Sequence, residues 1–252
     1  MIKAVLFDIG GTLHTVTNNA KLARSFAKRL ERRLAVYDIH IDTPYDELAF
    51  TLHENAEDYK HWSEQTLQEL PNVKIWNEYY LKEYHIGEEK LAPIAEELSF
   101  LYDYERVENK RRPKLYETMK ELHDDGLQLG IISNIISSSF VPHIVKEYGV
   151  DQFMDVIICS EDVGVRKPGA RIFEIALERL GLQASEMAYV GDTISRDVRG
   201  AQAAHLGLMI QIRNPAIAHR DVGMENVPPA DYIIDELWEI PAIIRKVNGS
   251  AD

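Results

Sequence analysis

The 252-residue chain has 41 acidic and 28 basic residues, a formal charge of −13, and 45% hydrophobic residues. Such a composition supports a sizeable globular core, and the acidic excess argues against a dedicated nucleic-acid binder, which needs a basic face, but not against a small anionic substrate. The single cysteine, Cys159, excludes an internal disulfide framework and suits a reducing compartment. Asp8 interrupts the short N-terminal apolar run, so no signal peptide is expected, and no stretch approaches the roughly 18 apolar residues of a membrane span; a cytoplasmic protein is expected.

In chain order, AVLF at 4–7 has the pattern of a buried parallel strand and stops on the carboxylate of Asp8, followed by Gly10, Gly11 and Thr12. Glycines there let the backbone turn sharply and bring its N–H groups near a ligand. LHTVTNN reads as polar and turn-like. From Asn18 or Asn19, either of which can cap, Leu22, Phe26, Leu30 and Leu34 repeat along one helical face. A second helix is expected with Thr43 as N-cap and Pro44 at the first helical position. An aromatic-rich segment (NVKIWNEYYLKEYHI) and a fourth helical one, carrying Pro93 near its start, complete a region with no strand pattern between 18 and 105. RVENKRRP reads as a basic, polar linker.

From Pro113 the character changes. An amphipathic helix ends at Gly126; LQLGIISN closes on Ser133 and Asn134; MDVIICS is another apolar run, in which Cys159 reads as a buried structural thiol. A polar loop leads into a strong helix that starts with Lys167 just before Pro168 and has Gly181 after it. EMAYVGDT ends on Asp192, a helix follows, and two further strands and a last helix close the chain. This alternation predicts an α/β fold: a doubly wound parallel sheet with a Rossmann-like core, with an inserted helical bundle. The core is expected over 1–17 plus 106–252 and the bundle over 18–105. In a parallel sheet Asp8, Ser133 and Asp192 all emerge at one edge, where open α/β sheets hold their ligands.

Four motifs in order carry a family resemblance: FDIGGTL at 7–13, IISN at 131–134, Lys167 in VRKP, and VGDTISRD at 190–197. Together they resemble the haloacid dehalogenase superfamily of phosphatases and related transferases, and the insertion after the first motif is similar to that family's helical cap. The resemblance implies Asp8 as nucleophile, with Lys167 as a catalytic charge. It implies Gly11, Thr12, Ser133, Asn134 and Lys167 as phosphate-binding residues, and Mg2+ held by Asp8, the Gly10 carbonyl and Asp192. Asp197 would support the metal water or Lys167.

One position departs from the family. Its phosphatases place a second Asp two residues after the nucleophile, where it protonates the leaving oxygen; this chain has Gly10. General acid–base catalysis is typically worth about 10² to 10⁴, so another group, His14 or a residue of the cap, would have to move the proton. The expectation is a magnesium-dependent phosphohydrolase acting on a small phosphorylated molecule, with reduced or specialised activity. The alternatives are a catalytically weak phosphate-binding or regulatory relative and, against VGDTISRD, a metal-free dehalogenase. Substrate identity and oligomeric state are not legible.

Overall fold

A computed structural model describes residues 1–249. β1 (Ala4–Phe7) leads through a tight loop into β2 (His14–Asn18). The helical insertion follows: α1 (Ala20–Ala35), α2 (Tyr45–Thr66), α3 (Asn72–Lys74), α4 (Glu88–Leu91) and α5 (Ala95–Glu105), with a π-helical segment at Ile75–Tyr80. β3 (Val107–Arg111) returns the chain to α6 (Leu115–Asp124), β4 (Gln128–Ser133), α7 (Phe140–Glu147), β5 (Met154–Cys159) and α8 (Ser160–Val163). α9 (Arg171–Leu180), β6 (Met187–Gly191), α10 (Arg199–Ala203), β7 (Leu208–Ile212), β8 (Tyr232–Ile234) and α11 (Ile240–Val247) complete the core.

The main sheet has six strands in the order β5-β4-β1-β6-β7-β8, and every neighbouring pair in it is parallel. Side chains alternate across a strand, and the two faces bury against different helices. Val5 and Phe7 of β1 join Leu129, Ile131, Ala188 and Val190 against α6, α7 and α11. Ala4 and Leu6 join Ile132, Met187 and Tyr189 against α9 and α10. A strand buried on both faces has no polar alternation, which is why AVLF reads as a continuous apolar run.

The inserted helices hold a core of their own, built on Phe26, Leu30, Leu34, Leu48, Leu52, Trp76 and Leu98. Asn19 caps α1, its side chain accepting from the Lys21 and Leu22 amides. Pro44 is itself the N-cap of α2 and makes no side-chain cap bond, so the helix starts one residue later than expected. The Thr43 hydroxyl is 2.9 Å from the Tyr84 hydroxyl instead. Pro93, which cannot donate the backbone bond a helix interior needs, lies in the turn between α4 and α5.

Three expectations are corrected. The turn-like LHTVTNN and the supposed linker RVENKRRP contain β2 and β3, which pair antiparallel from His14–Arg111 to Asn18–Val107. Their mostly exposed, polar faces hide them from a hydrophobicity reading. The ribbon carries the chain out of the sheet into the helical insertion and back. The helix after Lys167 begins at Arg171, so Lys167 stands in the preceding loop.

Candidate active site

Because β1 lies between β4 and β6, the carboxylate just beyond β1 stands between the ends of its two neighbours. Asp8 follows Phe7, Ser133 ends β4 and Asp192 follows Gly191, all three buried. Carboxylate oxygens of Asp8, Asp192 and Asp197 lie within 4.8 Å of one another.

Lys167, 2% exposed, stands among them. Its ammonium is 2.9 Å from Asp8 Oδ1 and 2.7 Å from Asp197 Oδ1, and donates to the Tyr189 hydroxyl at 2.6 Å. An ammonium has three donors, so all are matched. Tyr189 donates in turn to the Ile132 carbonyl at 3.0 Å, anchoring the lysine to β4. The Asn134 side chain accepts from Lys167 N and donates to Lys167 O, both at 2.9 Å. Its amide group therefore positions the lysine's backbone.

The electrostatics follow from this crowding. Burial raises the Asp8 carboxyl above the usual range, against the opposing pull of Lys167. Burial also raises Asp192, and the charges of Asp197 and Asp8 add to it. Burial opposes the Asp197 charge too, but Lys167 and Arg196 outweigh it and hold this carboxyl below the ordinary value. Asp197 also accepts from Thr193 N at 3.0 Å and Thr193 Oγ1 at 2.6 Å. Arg196 acts on all three carboxylates: burial disfavours its charge, and Asp197, Asp8 and Asp192 restore it.

The loop glycines differ. Gly11 has φ +90°, and a Cβ there would lie 1.7 Å from Asp192 Oδ2. Gly10 has no such constraint; a Cβ would meet only Val16 Cγ2, at 3.7 Å. Gly11 N donates to His14 O at 2.7 Å and Thr12 N to Ile9 O at 3.2 Å, so these amides, expected to face phosphate, are used inside the turn. Thr12 Oγ1 is buried without a partner among the described residues.

His14 does not join the cluster's hydrogen bonds. It is 1% exposed, its Nδ1 lies 3.0 Å from the Tyr148 hydroxyl, and its ring packs edge-on against Phe140 and Tyr148. Burial lowers its pKa to about 4. It is neutral at pH 7, and its contacts with Tyr148 and Phe140 give no support to the expectation that it replaces the missing Asp.

A metal ion fits the remaining donors. Three carboxylates converge, and Asp192 Oδ1 is buried with no hydrogen-bond partner among the described residues. Hard divalent cations take such oxygen donors. Asn214 holds the other oxygen, donating to Asp192 Oδ2 at 2.8 Å.

Residues 2–205 match the family model of haloacid dehalogenase-like hydrolases. The chain belongs to this family. It is similar to a glyceraldehyde 3-phosphate phosphatase of Methanopyrus kandleri, 28% identical over 98% of this chain and 99% of the relative. It is also similar to a phosphoglycolate phosphatase of Yersinia pestis, 30% identical over 81% of this chain and 78% of the relative. Among solved structures, a 2-haloacid dehalogenase from Pseudomonas syringae pv. Tomato DC3000 superposes with a TM-score of 0.67 at 20% identity, covering 98% of this chain and all of the other, and shows the shared fold. The protein is a hydrolase of the phosphatase-like branch of the haloacid dehalogenase superfamily.

Within this family frame, motif spacing does not find Tyr189, Arg196 or Asn214. Arg196 sits inside VGDTISRD next to Asp197, a position that the acidic pair of the motif leaves unmarked. Asn214 lies two residues beyond β7, on the same sheet edge as the others. Tyr189 is hidden in an apolar strand.

Proposed function

We propose that this protein is a magnesium-dependent phosphohydrolase that acts through an aspartyl-phosphate on Asp8, with a small phosphorylated metabolite as substrate. The observation that carries this is the buried cluster at the end of β1: Asp8 2.9 Å from Lys167, with Asp192 and Asp197 alongside. The names of the similar phosphatases support a phosphate ester as substrate.

Lys167 engages Asp8 Oδ1, which leaves Oδ2 as the oxygen to attack phosphorus in line. Lys167 and Arg196 counter the charge that builds on the transferring group, in a site preorganised by Tyr189, Thr193 and Asn134. Ser133 and the amides of Ile9 and Gly10 lie at the same edge to receive phosphate oxygens. Asp8, the Gly10 carbonyl and Asp192 would hold Mg2+, whose charge offsets the repulsion between phosphate and carboxylate. Asp197 fixes Lys167. The bundle over 18–105 serves as a cap on the core of 1–17 and 106–252, with the β2–β3 ribbon as its stem. The buried free thiol of Cys159 is consistent with a cytoplasmic setting.

The proton remains the weak step. Gly10 has no side chain to give one, and the carboxylate that lines the adjoining cavity is Glu64 of α2. Gly10 also favours a second reading, a relative that binds phosphate esters with little turnover. Phosphate release from p-nitrophenyl phosphate tests the choice, measured with magnesium, with chelator and in Asp8→Asn. Magnesium-dependent release that Asp8→Asn abolishes is expected. Tight binding of a phosphate ester without turnover would establish the second reading, and full activity in excess chelator would defeat the metal assignment.

A further inference from the structure

Beside the carboxylate cluster lies a cavity of ≈ 300 Å³ whose walls include Lys60, Glu64, Pro168, Arg196, Arg199 and Arg220. Pro168 adjoins Lys167 and Arg196 adjoins Asp197, so the cavity opens next to the reacting centre. On a chain of formal charge −13, this wall sets four cations, with His219 beside them, against the single carboxylate of Glu64. Among the described residues none of the three arginines forms a salt bridge. Lys60 is paired with Glu57 at 2.7 Å.

The cations come from three separate segments. Lys60 sits on α2, Arg196 and Arg199 on the helical run after Asp192, and His219 and Arg220 on the Pro215–Asp221 turn. That turn is held in place. The Asp221 carboxylate accepts from Ile194 N at 3.0 Å and Ser195 N at 2.9 Å, pinning the turn to the start of the helical run. Arg220 is exposed to solvent on one side, and partial desolvation together with the neighbouring charge of Arg196 lowers its pKa. On the phosphohydrolase reading, a phosphate at Asp8 would meet Lys167 and Arg196. The further guanidiniums, Arg199 and Arg220, exceed what one phosphate needs; they stand at the solvent-exposed rim of the cavity, and guanidiniums not spent on salt bridges are suited to a second anion through paired, charge-assisted hydrogen bonds.

We propose that this cavity is a subsite for a second anionic group, so that the substrate is a phosphate monoester carrying a carboxylate or another phosphate at its far end. The proposal rests on the phosphohydrolase reading and narrows its substrate class. Arg199 and Arg220 bind the distal anion, Lys60 closes over it from α2, and Arg196 lies between the two anions. A substrate ending in a neutral aldehyde or hydroxyl leaves these cations unanswered.

The test compares molecules that differ only at the far end. Glyceraldehyde 3-phosphate is paired with 3-phosphoglycerate, and fructose 6-phosphate with fructose 1,6-bisphosphate. kcat/KM should favour the doubly anionic member of at least one pair by roughly tenfold or more, carried mainly by KM, as charge-assisted hydrogen bonds provide. The pair with the larger preference identifies the distal group. In Arg199→Gln/Arg220→Gln the preference should collapse to about twofold or less, with the change again in KM. A preference for the neutral members, or one that the double variant leaves intact, overturns the subsite. Asp8→Asn assayed in parallel reports on the phosphohydrolase reading by itself. Should the wild type show no turnover, calorimetric binding of the same pairs to the wild type and the double variant decides the subsite by the same two outcomes.

Discussion

At the residue scale, the two adjacent glycines have opposite demands. Gly11 needs its left-handed φ and its missing Cβ, because Asp192 fills that space. Gly10 needs neither, so the family's acid can be placed there. Gly10→Asp should fold, and its turnover of alkyl phosphates should rise by part of the roughly 10² to 10⁴ that general acid–base catalysis provides, with a smaller gain on p-nitrophenyl phosphate, whose leaving group needs no proton. Equal rates in both proteins would mean that another group already moves the proton, and Glu64→Gln would then be the variant to assay. Lys167 is a buried counter-charge. Lys167→Ala should lower turnover by at least ~10²-fold and, measured by denaturant unfolding without magnesium, lower stability by about 3–5 kcal/mol, since it strands buried carboxylates. An unchanged unfolding midpoint would show that the cluster relaxes freely. His14 makes a pH prediction. The unfolded histidine takes up a proton near 6.5, but the folded one resists until about 4. Its stabilisation is therefore complete above pH 6.5 and is lost as pH falls towards 4, by up to about 3 kcal/mol. His14→Gln should flatten stability over that window relative to the wild type, and parallel curves would remove the assignment.

At the element scale, polar joints tie the inserted helices to the loops that carry the site. Just past α2, buried Glu69 accepts from the Tyr59 hydroxyl, from Ser160 Oγ at 2.6 Å and from Arg166 at 3.0 Å. Arg166 directly precedes Lys167, so the same joint braces the loop that delivers the lysine. On α5, Glu96 accepts from Ser137 Oγ at 2.7 Å and from Ser139 N at 3.0 Å, just ahead of α7. Arg166 and Glu69 are both withdrawn from solvent, and breaking a buried pair from one side leaves an uncompensated charge. Arg166→Met should cost about 3–5 kcal/mol of stability. Arg166→Met/Glu69→Gln should cost clearly less than the sum of the two single variants, because the penalties share one origin. Additive losses in denaturant unfolding would show that the two side chains do not act as a unit.

At the scale of the whole molecule, charge is sorted: a strongly acidic chain encloses a carboxylate cluster beside a basic cavity. The carboxylates repel one another in a buried place, so a ligand cation binds the folded state and not the unfolded one. Magnesium at a hundredfold excess over its Kd should stabilise the fold by about 2.7 kcal/mol, read as a rise in Tm that Asp192→Asn abolishes. No shift in the wild type, or an equal shift in Asp192→Asn, would place the cation elsewhere.

What the sequence determined by itself was local and repetitive. Two-sided burial makes strands such as AVLF and MAYVG readable as apolar runs, the helical repeat of Phe26, Leu30 and Leu34 marks a face, and the parallel alternation places Asp8, Ser133 and Asp192 at one edge. The four motifs and the departure at Gly10 are likewise matters of order and spacing. Tertiary structure alone decided what depends on partners distant in sequence. β2 and β3 exist because His14–Asn18 and Val107–Arg111 find each other across the helical insertion, and neither carries enough apolar surface to announce a strand. His14 is enclosed by Phe140 and Tyr148, residues more than a hundred positions away. The basic cavity gathers side chains from three segments, each of which looks like an ordinary solvated charge on its own. Periodicity records which face of an element is buried; it holds no record of which distant surface does the burying.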